Sequence, residues 1–145
     1  MPRFHNKVTN LQELGPTIEL IIYPPKPIYD IYKAQGKTVP YKKTIALIDT
    51  GASISGIHEA IVVDLGLISR NSIPVGTPNG PALKPTYDVG FLMMPLISLI
   101  FPVQVIGANL DQQPYGALIG RDILEKCTLI YNGWDHSYRE YPVFS

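Results

Sequence analysis

Disulfides are the first thing this chain cannot have. Its 145 residues include one cysteine, Cys127, so no intrachain bridge can form and a reducing compartment is tolerated. Net charge is missing too, because 12 Lys and Arg balance 12 Asp and Glu. A neutral chain has no electrostatic grip on a polyphosphate, which argues against nucleic acid as a partner. The few histidines, His5, His58 and His136, share no metal-ligand spacing, so neither a metal nor another cofactor is expected. Long apolar runs are scarce. Phe91–Ile106 is apolar, but Pro95 and Pro102 interrupt it. It is also short of the roughly twenty residues a membrane span needs. Met1–Asn6 has no apolar stretch of a signal peptide. The expectation is no membrane partner and a cytoplasmic location.

What the chain has in quantity is turn formers and short apolar runs. Fourteen prolines and twelve glycines punctuate a sequence that is 46% hydrophobic. That pattern fits one mainly β domain, residues 1–145, with a real core. The β-branched and aromatic runs are Thr17–Tyr23, Thr44–Ile48, Ile73–Val75, Thr86–Leu92, Leu96–Ile100, Val103–Ile106 and Thr128–Tyr131. Pro24–Pro40 reads as a loop insertion between the first two strands. Asn79-Gly80 and Asn132-Gly133 are hairpin-turn signals, and the second predicts a C-terminal hairpin extension over 132–145. Ile57–Leu65 is the clearest helix, with Ser55 as its cap and Gly66 at its end. Ile123–Lys126 reads as a short helical turn.

The informative segment is Ala46-Leu47-Ile48-Asp49-Thr50-Gly51-Ala52-Ser53. An apolar run of this kind is a buried strand. It ends on a carboxylate, which is costly to desolvate and so needs partners or a task. Gly51 permits a sharp turn, and Thr50 offers a hydroxyl to fix it. The plain alternative is an Asp that caps a turn at a strand end. Further along, the chain reads Gly116-Ala117-Leu118-Ile119-Gly120-Arg121-Asp122-Ile123-Leu124. Together the two segments resemble the retroviral-type (retropepsin-like) aspartic proteases. Kinases of the actin-like type also follow an apolar strand with Asp-x-Gly, but they need two large lobes and far more chain.

The resemblance implies an acid-protease-type single lobe, a closed, barrel-like β fold with one or two short helices, forming a two-fold dimer. It implies a homodimeric aspartic endopeptidase acting on peptide or protein substrates. Asp49, with Thr50 and Gly51, would form the catalytic turn. One chain supplies one such Asp, so the second must come from another copy across a two-fold axis. Two close carboxylates cannot both ionise easily, and they would share one proton. The family's flap would run Ile73–Asp88, with Val75, Gly76 and Thr77 near its tip. Leu47, Ala52, Ser53, Tyr115, Gly116 and Leu118 would also contact substrate, although Leu47 and Leu118 could equally be core. Gly120 and Arg121 would be structural. Ser53 stands where the family commonly has a carboxylate partner for that arginine. Arg121 must therefore find a backbone carbonyl or an acid on the neighbouring subunit. The tail Asp135–Ser145 could add strands to the dimer contact. Two other readings remain at this point: a non-catalytic dimerising or peptide-binding module on the same fold, and a piece of a longer polyprotein.

Overall fold

In Thr17–Tyr23, Ile18, Leu20 and Ile22 are buried and the intervening Glu19 is exposed. A side-chain period of two gives a strand one face for the core and one for water. The computed structural model describes residues 4–93 and 95–142. Along them run β1 (Phe4–Lys7), α1 (Leu11–Leu14), β2 (Thr17–Tyr23), α2 (Lys26–Ala34), β3 (Lys42–Ile48), β4 (Gly56–His58) and α3 (Glu59–Asp64). They continue with β5 (Asn71–Thr77), β6 (Gly80–Met93), β7 (Ile97–Ala108), β8 (Ala117–Ile119), α4 (Arg121–Leu124), β9 (Cys127–Asn132) and β10 (Ser137–Pro142). None of the described helices is long and apolar enough to cross a membrane.

Seven strands form one sheet in the order β2-β3-β8-β4-β7-β6-β5. β2 also pairs with β6, through Ile21↔Leu92, Ile22↔Phe91 and Tyr23↔Gly90. That extra ladder closes the sheet into a barrel-like ring and leaves β5 outside it. The ring turns its corner at a register shift between Phe91 and Met93, as bulges allow. Leu20, Ile22, Ala46, Phe91, Val105, Ala117 and Ile119 fill the inside with no exposure. Burial of each large apolar side chain contributes roughly 1.5–3 kcal/mol. β1, β10 and β9 form a separate three-stranded sheet. The tail strand β10 lies in its middle, paired to β1 and β9 of its own chain. Residues 143–145 of the expected dimer-contact tail lie outside the described residues. Tyr138 pins this sheet to the barrel: its hydroxyl donates to the Thr17 carbonyl at 2.7 Å and accepts from Asn6 Nδ2 at 2.9 Å.

Several local expectations change in three dimensions. The segment 24–40, read as loop, contains α2. Pro27 sits in its first turn, where a missing N–H costs nothing, so the proline cluster that ends β2 also starts a helix. α3 begins at Glu59 rather than Ile57, because Gly56–His58 pair with β7 and β8 as β4. Ser55 does not cap it, since its hydroxyl is engaged elsewhere. The runs on either side of Pro102 are one strand, β7. Pro102 pairs with β6 there, while β4 joins β7 only from Ile106 onward. The proline thus lies where the strand is an edge and no N–H is needed.

Candidate active site

Asp49 follows directly on β3, a strand held on both sides. β2 pairs antiparallel with it (Thr17↔Leu47) and β8 parallel (Leu47↔Leu118, Ile48↔Ile119). The ladders continue one step past the strand. Ile48 N–H donates to Pro16 O and Asp49 N–H to Ile119 O, both at 2.8 Å. The backbone of Asp49 is therefore fixed by the barrel, while its side chain is half-buried. The Gly51 N–H donates to Asp49 Oδ1 at 2.9 Å, and Ala52 N–H donates to Asp49 O at 3.2 Å. The turn thus closes on its own carboxylate. Thr50 and Gly51 at its tip are exposed.

A second set of bonds holds the turn from behind. Arg121 reaches it twice, with Nη1 donating to Thr50 O at 2.6 Å and its backbone N–H to Ala52 O at 2.8 Å. The partner of this arginine in the described chain is thus a backbone carbonyl, and Ser53 is not used. Thr50 contributes that carbonyl to the turn. Gly120 lies so close under the loop that a Cβ there would come within 2.8 Å of Ile54 C and 3.0 Å of Ala52 O. Ser55, fully buried, accepts the Gly120 N–H at 2.9 Å and donates its hydroxyl to Asp122 Oδ1 at 2.8 Å. Asp122 also accepts the Ser55 N–H and its own Ile123 N–H. One buried hydroxyl and one carboxylate therefore lock the segment after the Asp49 turn to the start of α4.

A cleft of about 360 Å³ opens beside Asp49. Leu47, Ile48, Asp49, Thr50 and Tyr115 line one side of it, together with Gln113 and Pro114. The stretch Gln12–Pro16, between β1 and β2, forms the other side. The remaining sequence candidates fall elsewhere. Gly116 packs on Thr44, whose hydroxyl a Cβ would strike. Leu118 is half-buried between Leu47 and Gly56 in the sheet. Ala52 serves the turn through its backbone. Val75, Gly76 and Thr77 pair with Ala82, Pro81 and Gly80 in the β5–β6 hairpin and do not line the cleft in the single chain. Ser53 and Ile54 border a larger cavity of about 430 Å³ with Phe101, Val103, Ile123 and Cys127. That space is mostly apolar and does not include Asp49, which lines the smaller cleft.

Sequence reasoning missed Gln12–Pro16, which carry no motif, and Ser55, which it took as a helix cap. His58, which carries no motif, is also only 20% exposed. Trp134, in the turn between β9 and β10, is 96% exposed. Cys127 is half-buried, and burial first, then the neighbouring Glu140, pushes its thiol up to about 12. It stays a protonated, unreactive thiol. Among the described residues no cluster of three His, Cys, Asp or Glu could hold a metal ion.

No family model matches the chain, and no curated protein matches it. Among solved structures, EIAV protease complexed with the inhibitor HBY-793 aligns at a TM-score of 0.50 and 19% identity, covering 81% of this chain and 91% of that one. The fold is that of the retropepsin-like aspartic proteases. Two further structures align with lower scores. The Simian Foamy Virus (mac) protease in solution has a TM-score of 0.48, 17% identity, and coverage of 76% of this chain and 92% of that one. A retropepsin-like aspartic protease from Rickettsia conorii has a TM-score of 0.46, 16% identity, and coverage of 88% and 94%. At such identities the likeness is one of retropepsin-like backbone.

Proposed function

We propose that the chain is a homodimeric aspartic endopeptidase, a single domain acting in the cytoplasm on peptide or protein substrates. One observation carries this reading. Asp49 ends a central barrel strand, is held by the Gly51 N–H, and faces an open cleft with apolar Leu47 and Tyr115 beside it. A carboxylate so fixed, yet still reachable, suits acid–base work on a bound water. One Asp49 is not enough, because the reaction needs an acid and a base together. The exposed Thr50 and Gly51 leave the turn free to meet the same turn of a second copy.

In that dimer a water would sit between the two carboxyls. The ionised one takes its proton, and the protonated one donates a hydrogen bond to the scissile carbonyl. Attack of the water oxygen on the carbonyl carbon gives a tetrahedral intermediate. Its C–N bond then breaks as the nitrogen takes a proton from the carboxyl pair. The β5–β6 hairpin, with Val75, Gly76 and Thr77 toward its tip, is the segment suited to close over the substrate as a flap. Leu47 and Tyr115 favour large apolar residues beside the scissile bond. Arg121, Gly120, Ser55 and Asp122 hold the turn and take no part in proton transfer.

Asp49→Asn tests the assignment. Asn is nearly isosteric, so the variant should keep its fold and self-association while cleavage of an unfolded protein mixture falls by about a thousandfold or more. Undiminished cleavage by the purified variant would refute the assignment.

A further inference from the structure

One residue holds both ends of the loop that forms the wall of the cleft. The loop 109–116 joins β7 to β8, and its Gln113, Pro114 and Tyr115 line the cleft with Asp49. At its far end, the His58 backbone N–H donates to Gly116 O at 2.9 Å. At its near end, His58 is the register partner of Ala108 across the β4–β7 ladder. The ring then reaches into the loop itself. Nδ1 lies 3.2 Å from Leu110 N, and Nε2 lies 3.0 Å from Asp111 Oδ1. The Leu110 N–H can only donate, so Nδ1 accepts and Nε2 carries the proton toward Asp111. The Ala108 carbonyl, 3.3 Å from Nδ1, is then a neighbour and not a partner.

We infer that His58, with Asp111, is a positioning residue that sets the cleft wall at Gln113–Tyr115 and so the fit of the substrate side chain beside the scissile bond. The inference rests on the protease reading above, and adds to it a specificity determinant outside the catalytic turn. Among the described residues, the other hydrogen bonds at the front of the loop stay within the loop itself. Leu110 is buried and anchors one point. Asp111 is largely exposed, with its N–H on Asn109 Oδ1 at 3.1 Å, and the Gln113 N–H makes a turn bond to Leu110 O at 3.0 Å. A ring 20% exposed that satisfies both of its nitrogens on one loop is a fixed strut. Freed of it, Pro114 and Tyr115 can move while Gly116 stays bonded to Ile45 O and His58 N–H. The catalytic turn shares none of these bonds.

The test has two arms, both on the full chain. The first measures hydrogen exchange of the Leu110 amide in wild type, His58→Ala and His58→Asn. Exchange should be about tenfold faster in His58→Ala and close to wild type in His58→Asn, whose side-chain oxygen can take the place of Nδ1. The Gly116 amide, bonded to Ile45, is the internal control. Unchanged Leu110 exchange in His58→Ala would overturn the inference. The second arm measures cleavage of a peptide with large apolar residues at the scissile bond. His58→Ala should raise KM about tenfold with kcat within about twofold. A fall in kcat at unchanged KM would overturn a positioning role. Asp111→Ala, at an exposed site, removes only the outer contact and guards against a His58 variant that fails to fold. It should raise KM about threefold, and an unchanged KM and cleavage profile would overturn the role given to the pair. A wild type that cleaves nothing contradicts the protease reading alone, and the Leu110 amide still decides whether His58 holds the wall.

Discussion

Asp122 and Glu140 are two carboxylates drawn into the protein and handled in opposite ways. Asp122, behind the Asp49 turn, accepts the Ser55 N–H, the Ser55 hydroxyl and the Ile123 N–H. Glu140, in the middle strand of the β1–β10–β9 sheet, is fully buried, and among the described residues no hydrogen bond of normal geometry reaches either oxygen. Burial pushes the Glu140 carboxyl above the ordinary glutamate range, and the nearby Cys127 thiol, a weak donor, offsets only part of that. A carboxylate drawn from water is tolerated when hydrogen bonds replace its hydration and is costly when none does. The region around Asp49 is thus organised by polar bonds that fix geometry. The terminal sheet is organised by apolar burial, by Tyr138, and by an acid whose burial raises its carboxyl above the ordinary glutamate range. The first arrangement suits a site that must stay in place, and the second makes part of the fold sensitive to pH.

Substitutions can break this contrast from either side. Asp122→Ala should have the largest effect, about 3 kcal/mol of lost stability, since it strands the buried Ser55 hydroxyl and N–H together. Denaturant unfolding measures it, and a loss under about 1 kcal/mol would mean that the bonds behind the turn are weak. Glu140→Leu should act in the opposite direction, stabilising the protein at pH 7 by about 1–3 kcal/mol. The sign follows from the raised carboxyl. In wild type, stability is full below the unfolded-state value of a glutamate and declines as pH rises through the higher folded-state value. The gain in Glu140→Leu should therefore shrink in acid, and a gain independent of pH would show that Glu140 is not the titrating group. Tyr138→Phe keeps the ring but removes the bonds to Thr17 and Asn6, and should cost about 1–2 kcal/mol by the same assay. Trp134→Ala, at a site 96% exposed, should stay within about 0.5 kcal/mol.

The same contrast explains what could be read from sequence. Ile18, Leu20 and Ile22 alternate, and Ala46–Ile48 run into Asp49, so β2, β3 and the turn were legible from local pattern alone. The resemblance carried by Asp49-Thr50-Gly51 and by Gly120-Arg121-Asp122 led to the retropepsin-like fold. What stayed hidden depends on distant partners. Ser55 looked like a cap because nothing local shows that Asp122, far along the chain, takes its hydroxyl. Ile57 and His58 looked helical until β7 and β8 drew them into the sheet as part of β4. α2 was masked by prolines that serve equally well as strand breakers and helix starters. β1 is short and gains its place only by pairing with β10. His58 carries no motif, and its contacts with Leu110 and Asp111 exist only once the β7–β8 loop folds back.

Mixing wild-type chains with Asp49→Asn chains at a fixed total concentration, followed by re-equilibration, tests most directly whether two Asp49 carboxyls act together. If each active site needs one Asp49 from each of two copies, turnover should fall as the square of the wild-type fraction, so that an equal mixture retains about a quarter of the activity. Activity that falls linearly, with about half retained in the equal mixture, would contradict a shared site and place the whole reaction within one chain.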